Sequence, residues 1–300
     1  MAMTSTAPEP DSACPAIAVI IPHYNDVVRL THCLAALAPQ MTADTELVVV
    51  DNGSDCSLDP AHAVWPNLRL ISEAAKGAAL ARNRGVAETT APILAFLDCD
   101  CLPAADWLAT ARATATRPDG DFFGGRIDVF DETPPPRSGA EAFEAVFAFD
   151  WQGYIDTKGF TVTANMVTRR VVFADVGPFI NGVSEDLDWC RRATAKGFRL
   201  RAAPALRVGH PSRSDWASLR RKWQRLTRES YDLEGVKSRP AWTLKALAMP
   251  ISALAHLPKI LTSPRLDGPG ERLRGAATLI RLRLARMVWM LQQTLGTGKV

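Results

Sequence analysis

The chain has 300 residues, 47% apolar and 22% charged, a composition that excludes a disordered or fibrous protein and suffices for one large domain or two smaller ones. The net charge of +3 conceals a division, because residues 1–200 hold 16 Lys and Arg against 26 Asp and Glu, whereas residues 201–300 hold 19 against 6. Six scattered cysteines without a C-x-x-C pair argue against a zinc finger or a disulfide framework and favour a reducing cytoplasm.

The first 15 residues contain neither a basic region nor an apolar stretch, so we expect a disordered, proline-containing leader rather than a cleaved secretion signal. No stretch reaches 18 clean apolar residues. The best candidate, 246–257, is interrupted by Pro250 and His256, which argues against a membrane-spanning helix.

Short apolar runs alternate with helical patterns from residue 16 onward. The pattern predicts strands at Ala16–Ile21, Glu46–Val50, Leu68–Ile71 and Ile93–Leu97. Helices are expected after Asn25, which we take as the cap of the first one, and over Ala78–Ala87. Strands separated by helices pair in parallel through right-handed crossovers. We therefore predict an α/β fold with a doubly wound, mostly parallel sheet flanked by helices.

Polar side chains follow three of these strands at the point where each strand ends: PHYND at 22–26, DNGSD at 51–55 and DCD at 98–100. Ligands of such sheets bind beyond the carboxyl ends of the strands. Carboxylates gathered at one edge repel each other unless a cation or the donor groups of a ligand offset their charge. The sequence therefore predicts a ligand site at this edge.

Asp98 and Asp100 form the strongest local signal, because two carboxylates two residues apart at a strand end can approach one divalent cation on a substrate's phosphates. Asp51 is either a turn residue or an acceptor for a base or ribose. Tyr24 is either a half-buried aromatic residue or a platform for a nucleobase. The helix 78–87 presents Arg82 and Asn83 to solvent or to a pocket.

Three acids, Glu185, Asp186 and Asp188, open a helix predicted to run from Ser184 to Lys196. Acids in a first turn ordinarily complement the helix dipole, but one of them can serve as a general base at the mouth of a site. His210 is a surface loop histidine by default. It becomes a candidate metal ligand only if Asp98 and Asp100 lie close to it.

Two common nucleotide-binding classes fit poorly. No G-x-G-x-x-G follows the first strand and no G-x-x-x-x-G-K-[ST] occurs, which argues against a dinucleotide-binding enzyme and a P-loop NTPase.

Six segments stand in an order and spacing that can be compared with a known family: PHYND, ELVVVDNGSD, GAALARNRGVAETTAPILAFLDCD, FTVTANMVTRR, VGPF and SEDLDWCRRATAKGFRL. They resemble the family 2 glycosyltransferases over about residues 16–212. The resemblance implies a GT-A fold and an inverting enzyme. It also implies a nucleotide-diphosphate sugar as donor, with a UDP-sugar as the expected one, and a divalent metal, Mg²⁺ or Mn²⁺. Cys99 stands where the family more often has Ala or Asp, and a small side chain there should be neutral for metal binding.

The resemblance also implies roles for individual residues. Tyr24 and Asp51 would hold the nucleobase and ribose, with Arg82 and Asn83 nearby, while Asp98 would face the nucleotide. We assign the remaining members of the predicted site by the same resemblance: Pro22 and Asn25 to the nucleotide, Asp100 to the metal, Asp186 as catalytic base with Glu185 beside it, and Asn165 and Trp189 to the pocket for acceptor and donor sugar.

The Q-x-x-R-W motif of processive synthases is absent from the sequence, and Lys222-Trp223 stands in a similar place, which argues against processive polymerisation. The expected acceptor is a glycan or a polyprenyl-linked molecule of surface-polysaccharide or glycolipid assembly. Two alternatives remain open. One is a sugar nucleotidyltransferase, in which a glycine-rich loop is expected after the first strand. The other is a non-catalytic relative that binds a nucleotide sugar or an assembly partner.

Residues 213–300 are predicted to form a basic, helical extension of the domain at 16–212. Residues 213–231 place Trp216, Leu219, Trp223 and Leu226 on one helical face, and either pack on the catalytic domain or meet an interface. Residues 271–295 repeat the pattern with a stripe at Leu273, Ala277, Ile280, Leu284, Met287, Val288 and Leu291. We expect peripheral binding to an anionic membrane on its cytoplasmic face, and no nucleic-acid partner, because no recognition fold accompanies the charge.

Overall fold

The computed structural model describes residues 16–65, 68–236 and 238–296, and the predicted leader at 1–15 lies outside these ranges. Eight strands form one mixed sheet in the order β3-β2-β1-β4-β7-β6-β8-β5. Their bounds are β1 Ile17–His23, β2 Thr45–Asp51, β3 Arg69–Ser72, β4 Ile93–Leu97, β5 Leu102–Pro103, β6 Phe122–Phe130, β7 Asn165–Arg169 and β8 Leu200–Pro211.

The first four strands are the four predicted from sequence, and they pair in parallel with one another. Beyond β4 the sheet becomes mixed, because β7 runs antiparallel to both β4 and β6, β8 runs parallel to β6, and β5 runs antiparallel to β8. The predicted α/β fold is confirmed, with parallel order concentrated in the amino-terminal half of the sheet.

Twelve α-helices accompany the sheet within the described residues. They are α1 Val27–Leu37, α2 Asp59–Val64, α3 Ala78–Ala87, α4 Trp107–Ala115, α5 Gly139–Phe147, α6 Trp151–Asp156, α7 Arg170–Val176, α8 Glu185–Ala195, α9 Trp216–Ser230, α10 Arg239–Leu247, α11 Met249–Leu261 and α12 Gly268–Leu295. The predicted helix at 78–87 is α3, and the one predicted from Ser184 is α8.

The central strand β1 explains the layering of the fold. All seven of its residues are buried, and successive side chains point to opposite faces of the sheet. Ile17, Val19 and Ile21 enter one core, which α1 covers with Leu30, Leu34 and Leu37. Ala18 and Ile20 enter the core on the other face. A strand covered on both faces is apolar throughout rather than alternating, as the sequence IAVII shows.

Asn25 does not cap α1 as predicted. The helix begins at Val27 after Asp26, and Asn25 adopts a left-handed conformation with a φ of 50°. Its side-chain Oδ1 accepts a hydrogen bond from the backbone N–H of Asp55 at 2.7 Å, and its own N–H donates to Ser54 Oγ at 2.8 Å. Asn tolerates this conformation better than most residues. The residue therefore joins the loops after β1 and β2.

The carboxyl-terminal helices share a third core with α5. Its members come from α5, α9, α11, α12 and the connection before α12, and include Phe143, Leu219, Ile260, Leu266 and Leu279. Within the part of the chain that the structure describes, no single helix has the length and apolarity to cross a membrane. The helices α10 and α11 reach the required length and apolarity only when they are taken together as one segment, and this segment is bent by 47°.

Candidate active site

The strand order brings three loop ends together. β1 lies between β2 and β4, and His23 at the end of β1 is level with Asp51 at the end of β2. Asp98 and Asp100 follow β4 directly. The predicted gathering of acidic strand ends at one edge is therefore what the sheet produces, and two cavities open there.

The first cavity, about 330 Å³ in volume, has a mainly apolar wall. Its lining residues are Pro22, His23, Tyr24, Asn52, Lys76, Gly77 and Ala78. The Tyr24 ring is 51% exposed, and Lys76 Nζ lies 5.8 Å from its centroid. An exposed ring beside a flat apolar pocket suits a planar ligand such as a nucleobase.

Gly77 shapes this cavity because no other residue fits its position. Its φ is 143°, and a Cβ there would come within 1.9 Å of Asn181 Oδ1. The Gly77 N–H donates to Asn52 Oδ1 at 2.6 Å, and Asn181 Nδ2 donates to the Lys76 carbonyl at 2.9 Å. The glycine thus allows two asparagines to hold the loop before α3 against the strand end.

Asp51 is held in a hydrogen-bonded loop at the edge of this cavity. Its Oδ1 accepts a bond from Ser54 Oγ at 2.5 Å and lies 3.0 Å from His23 Nδ1. Burial on its own would raise the pKa of Asp51, but these bonds outweigh burial and lower the pKa. The carboxylate therefore stays ionised and oriented, as an acceptor for hydroxyl groups must be.

The second cavity, about 500 Å³ in volume, contains most of the ionisable groups predicted from sequence. Asp98, Asp100, Glu185, Asp186, Arg82 and His210 all line it, together with Pro22 and Tyr24, which are shared with the first cavity. A continuous cleft therefore runs from the apolar pocket to the acidic centre.

Arg82 connects two parts of the acidic centre. Its side chain is 4% exposed, with Nη2 2.5 Å from Asp98 Oδ1 and Nη1 3.0 Å from Glu185 Oε1. Burial would lower the pKa of this guanidinium, but Asp98 and Glu185 more than compensate and raise it. A permanently charged, planar fork can bind two carboxylates at once. Arg82 therefore binds Asp98 and Glu185, offsets one of their two charges, and leaves Asp100 and Asp186 outside these ion pairs.

Asp100 lies beside His210, with Asp100 Oδ2 3.3 Å from His210 Nε2. His210 is not the surface loop residue expected by default. It lies in β8 and is 5% exposed, because the strand extends through Pro211. Of the two aspartates that the sequence named beside a possible metal role for His210, Asp100 is in direct contact and Asp98 lines the same cavity.

The donor set suits a divalent cation. His210 Nδ1 lies 2.8 Å from the Pro211 carbonyl, a contact that it makes as an N–H donor, so Nε2 is the ring nitrogen that faces Asp100. One carboxylate and one imidazole nitrogen would leave several positions for water and phosphate oxygens, which is how Mg²⁺ or Mn²⁺ is commonly held against a nucleotide. Within the described residues no group of three or more His, Cys, Asp or Glu side chains forms a metal site by itself.

Cys99, between the two aspartates, does not compete as a ligand. Burial, and then the neighbouring Asp100 and Asp98 carboxylates, raise the pKa of its thiol well above the usual value. A protonated thiol is a poor metal ligand, since the thiolate is the binding form.

Asp186 sits in the first turn of α8 and faces the cleft. Burial, followed by the nearby Glu185 carboxylate, raises the pKa of Asp186 to about 6, against hydrogen bonds from the Leu187 N–H at 2.8 Å and Ser184 Oγ at 3.1 Å. No ion pair of Asp186 occurs among the described residues. A partly buried carboxylate near neutrality is suited to accept a proton.

Three predicted site residues hold the protein together instead of lining the cleft. Asn83 binds the backbone of Phe179 through both its amide atoms. Asn165 is fully buried, accepts a bond from Trp107 Nε1 and donates to the carbonyls of Arg126 and Leu206. Assigning Asn165 to the sugar pocket is therefore wrong, because its side chain is fully buried and both of its N–H donors are used within the protein.

Trp189 is likewise part of the core and not of the sugar pocket. The side chain is fully buried, donates from Nε1 to the Gly177 carbonyl at 3.0 Å, and packs edge-on against Phe122. It lies on the side of α8 that faces the sheet, whereas Asp186 lies on the side that faces the cleft.

The structure adds a charged wall that the sequence did not reveal. Glu144 on α5 is 1% exposed, with Oε1 2.7 Å from Lys222 Nζ on α9 and Oε2 3.3 Å from Arg213 Nη1. Burial favours a higher pKa for Glu144, but Lys222 and Arg213 outweigh it and lower the pKa. Nearby, burial raises the pKa of Glu229 to about 7, against the opposing effect of Arg225.

These wall residues lie on α5 and α9, far from the strand ends in sequence. One signal pointed toward them, namely Lys222-Trp223 in the place of a synthase motif, and both residues line the cleft. Phe143, Phe147, Phe149, Tyr154, Phe160 and Leu226 complete an aromatic and apolar wall on the same side.

The geometry can now be compared with known proteins. The family model described as Glycosyl transferase family 2 matches residues 18–177, more than half of the chain. The chain belongs to glycosyl transferase family 2. The match covers the strand ends and Asp98–Asp100, and it ends before Glu185, Asp186 and His210, which complete the cleft.

Curated relatives agree with the assignment of this glycosyltransferase. The chain is 33% identical to glycosyltransferase AglE of Haloferax volcanii over 211 residues. These matched residues make up 67% of this chain and 69% of the relative. The chain is also 29% identical over 212 residues to the pre-mycofactocin glycosyltransferase of Mycobacterium tuberculosis, and there the match spans 67% of this chain but only 44% of the relative.

Solved structures support the fold of the glycosyltransferase. A mannosyltransferase from Pyrobaculum calidifontis, solved in complex with GDP-Man and Mn²⁺, is 18% identical with a TM-score of 0.54 and covers 97% of this chain and 79% of its own. Glucosyl-3-phosphoglycerate synthase from Mycobacterium tuberculosis is 16% identical with a TM-score of 0.53 and covers 74% of this chain and 80% of its own.

Proposed function

We propose that this glycosyltransferase moves a sugar from a nucleoside-diphosphate sugar to a hydroxyl group of a glycan or polyprenyl-linked acceptor, with inversion at the anomeric carbon. The observation that carries the proposal is the position of Asp186. It is a partly buried carboxylate with a pKa of about 6, in the same cleft as Asp98 and Asp100 and outside the Arg82 ion pairs.

The donor fits the two joined cavities. The nucleobase occupies the apolar pocket beside Tyr24, and Asp51 accepts the ribose hydroxyl groups. The diphosphate then lies toward Asp100 and His210, and we take UDP as the first nucleotide to test. Asp100 and His210 would hold the Mg²⁺ or Mn²⁺, whose chemistry is to neutralise charge that develops on the departing diphosphate.

Asp186 performs the proton transfer. Its carboxylate takes the proton of the acceptor hydroxyl as that oxygen forms a bond to the anomeric carbon and the bond to the diphosphate breaks. Because the acceptor attacks from the face opposite the leaving group, a single displacement inverts the configuration and requires no covalent enzyme intermediate. Arg82 holds Glu185 in an ion pair, so that Asp186 is the base that remains available.

The acceptor side of the proposal rests on the wall formed by α5 and α9. Phe143, Phe147, Trp223 and Leu226 offer apolar surface next to the proposed base, which suits an acceptor with an apolar portion. Several curated relatives are named for glycoconjugate biosynthesis, including a PGL/p-HBAD biosynthesis glycosyltransferase of Mycobacterium bovis with 33% identity over 178 residues. The scattered cysteines favour the cytoplasm as the compartment of the reaction.

The deciding experiment is calorimetric titration of the purified protein with UDP, with and without Mn²⁺, for the wild type, Asp100→Ala and Asp119→Ala. Asp119 is a matched control because it is an exposed carboxylate paired with Arg117 away from the cleft. We expect binding that depends on Mn²⁺, that Asp100→Ala abolishes and that Asp119→Ala retains.

Other outcomes redirect the proposal. Binding of GDP or dTDP in place of UDP keeps the reaction and changes the donor. Failure of the folded protein to bind any of the three nucleotides with Mn²⁺ present overturns the proposal in favour of a non-catalytic relative. Formation of nucleotide sugar from a sugar phosphate and a nucleoside triphosphate would instead establish a sugar nucleotidyltransferase.

A further inference from the structure

Exposed apolar side chains are concentrated at the carboxyl-terminal end of the described chain. Fifteen large apolar side chains are exposed among the described residues, and ten of these lie on α10, α11 and α12. We call these ten the apolar face: Leu244, Leu247, Ile251, Leu254, Leu261, Leu273, Ile280, Leu284, Val288 and Leu295. Such a concentration on a monomer marks an interaction surface.

The pattern along α12 shows that the apolar face is a feature of the helix and not a set of isolated residues. Leu273, Ile280, Leu284, Val288 and Leu295 recur at intervals of four or seven residues, which places them within one sector of the helix at about 100° per residue. The opposite sector packs into the protein through residues such as Leu279, Leu282 and Trp289. The stripe predicted from sequence over 271–295 therefore includes this outward sector.

The same pattern occurs on α11. Ile251, Leu254 and Leu261 are 70%, 65% and 41% exposed, while Ala253 and Ile260 on the other side of the helix are buried. Ile260 packs beside Gly275 of α12, so α11 and α12 are direct neighbours and their outward sectors belong to one region of the surface.

Cations surround the apolar face. Residues 239–296 contain nine Lys and Arg but only two acids, and the buried one of these, Glu271, is bound to Arg137. Arg274 and Arg281 lie next to the apolar sector on the surface of α12, and both side chains are exposed.

The helices that carry the apolar face also contact the cleft through other side chains. Phe147 lines the cleft, and its ring centroid lies 6.0 Å from that of His256 and 5.4 Å from Lys259 Nζ, both on α11. Trp223, on the same wall, carries Arg286 of α12 over its ring at 4.6 Å.

We propose that α10, α11 and α12 dock the protein onto an anionic lipid bilayer, with the apolar face inserted at the boundary between headgroups and acyl chains. Amphipathic helices rich in Lys and Arg bind bilayers in this way, through buried apolar area and attraction to anionic headgroups. A second copy of the chain fits this face less well, since a two-fold interface would bring the same basic surface against itself. The inference extends the proposed function but does not depend on sugar transfer.

The experiment is flotation of the full chain with vesicles of neutral phosphatidylcholine alone or with about one third anionic phosphatidylglycerol. The wild type is compared with Ile251→Glu/Leu254→Glu, with Leu284→Glu and with Val171→Glu. Val171 is the control because it is 72% exposed on α7, outside the apolar face. All four positions are exposed, so each variant should fold, and UDP binding with Mn²⁺ measured in parallel reports the cleft independently.

We expect the wild type and Val171→Glu to float with anionic vesicles, and to float much less with neutral vesicles or in 1 M salt. The substitutions on α11 and α12 should each weaken vesicle binding at least tenfold without changing nucleotide binding. The proposal is overturned if the wild type does not float, or if Val171→Glu weakens flotation as much as Leu284→Glu. It is also overturned if light scattering shows a dimer that the α11 or α12 variants convert to monomers while vesicles are not bound.

Discussion

At the scale of single residues, the cleft separates carboxylates by what lies next to them. Arg82 holds Asp98 and Glu185, His210 lies against Asp100, and Asp186 is left with hydrogen bonds from Ser184 and Leu187. Four acids gathered at one site thus have different partners, and only Asp186 has neither a cation nor an imidazole beside it. In the proposed mechanism this difference separates the base from the groups that bind donor and metal.

The pKa of Asp186 predicts the pH dependence of activity. A general base works in its ionised form, so kcat/KM should be constant above pH 7, fall to half near pH 6 and drop about tenfold per unit below that. Asp186→Asn should lower the rate by about 10²–10⁴ and leave nucleotide binding intact. Asp188→Asn is the control, since Asp188 pairs with Arg192 in the same helix, and full loss in this variant would contradict the assignment.

Arg82 predicts an effect on stability. Arg82→Met leaves Asp98 and Glu185 without their shared cation, and the free energy of unfolding should fall by about 2–3 kcal/mol, moderated by the partial exposure of both carboxylates. Arg84→Met, on the same helix, removes an exposed pair with Glu88 and should cost less than about 1 kcal/mol. Urea unfolding measures both. If both variants lost the same free energy of unfolding, the ion pairs of Arg82 with Asp98 and Glu185 would not contribute as buried pairs.

At the scale of elements, helix packing at the carboxyl-terminal end depends on one close approach. A Cβ on Gly275 of α12 would come within 2.6 Å of Ile260 Cδ1 on α11 and 3.2 Å of Ala142 Cβ on α5. Glycine is the residue that lets three helices meet here, despite its low helix propensity. Because α5 also carries Glu144 into the cleft wall, this contact links the helices to the site.

Gly275→Leu should therefore lower the free energy of unfolding by about 2–3 kcal/mol, because the added side chain overpacks the junction of α5, α11 and α12. Gly270→Leu is the matched control on the same helix. Its Cβ would meet only the far end of Arg274 at 3.4 Å, and the expected change is within about 0.5 kcal/mol. Thermal unfolding checks the pair, and a neutral Gly275→Leu would refute the packing argument.

At the scale of the whole molecule, the division of the chain into 16–212 and 213–300 stays a prediction. The third core mixes Phe143 of the first range with Leu219, Ile260 and Leu279 of the second. Arg213 and Lys222 of the second range hold Glu144 of the first. Cores and ion pairs shared across a boundary oppose independent unfolding of the two parts.

We accordingly expect one cooperative unfolding transition. Circular dichroism, which reports the helices, and binding of UDP with Mn²⁺, which reports the cleft, should be lost over the same range of urea. If the cleft survives after a large part of the helical signal has disappeared, the carboxyl-terminal region is an independent unit.

The sequence by itself determined the elements that repeat a local pattern. The strands β1 to β4, the helix α3 and the acidic strand ends follow from hydrophobic periodicity and turn residues, which act over a few neighbours. The family resemblance likewise depends on short segments in a fixed order. These features identified a glycosyltransferase and drew attention to Asp98, Asp100 and Asp186.

The tertiary structure decided what depends on distant residues. Asn165 and Trp189 were predicted to line the sugar pocket, but Asn165 is held by partners on β6, α4 and β8 and Trp189 packs against the sheet. His210 became a metal-ligand candidate only when β8 brought it to Asp100, 110 positions earlier in the chain. Burial and long-range pairing set the free energy of each side chain, and neither is encoded by local spacing.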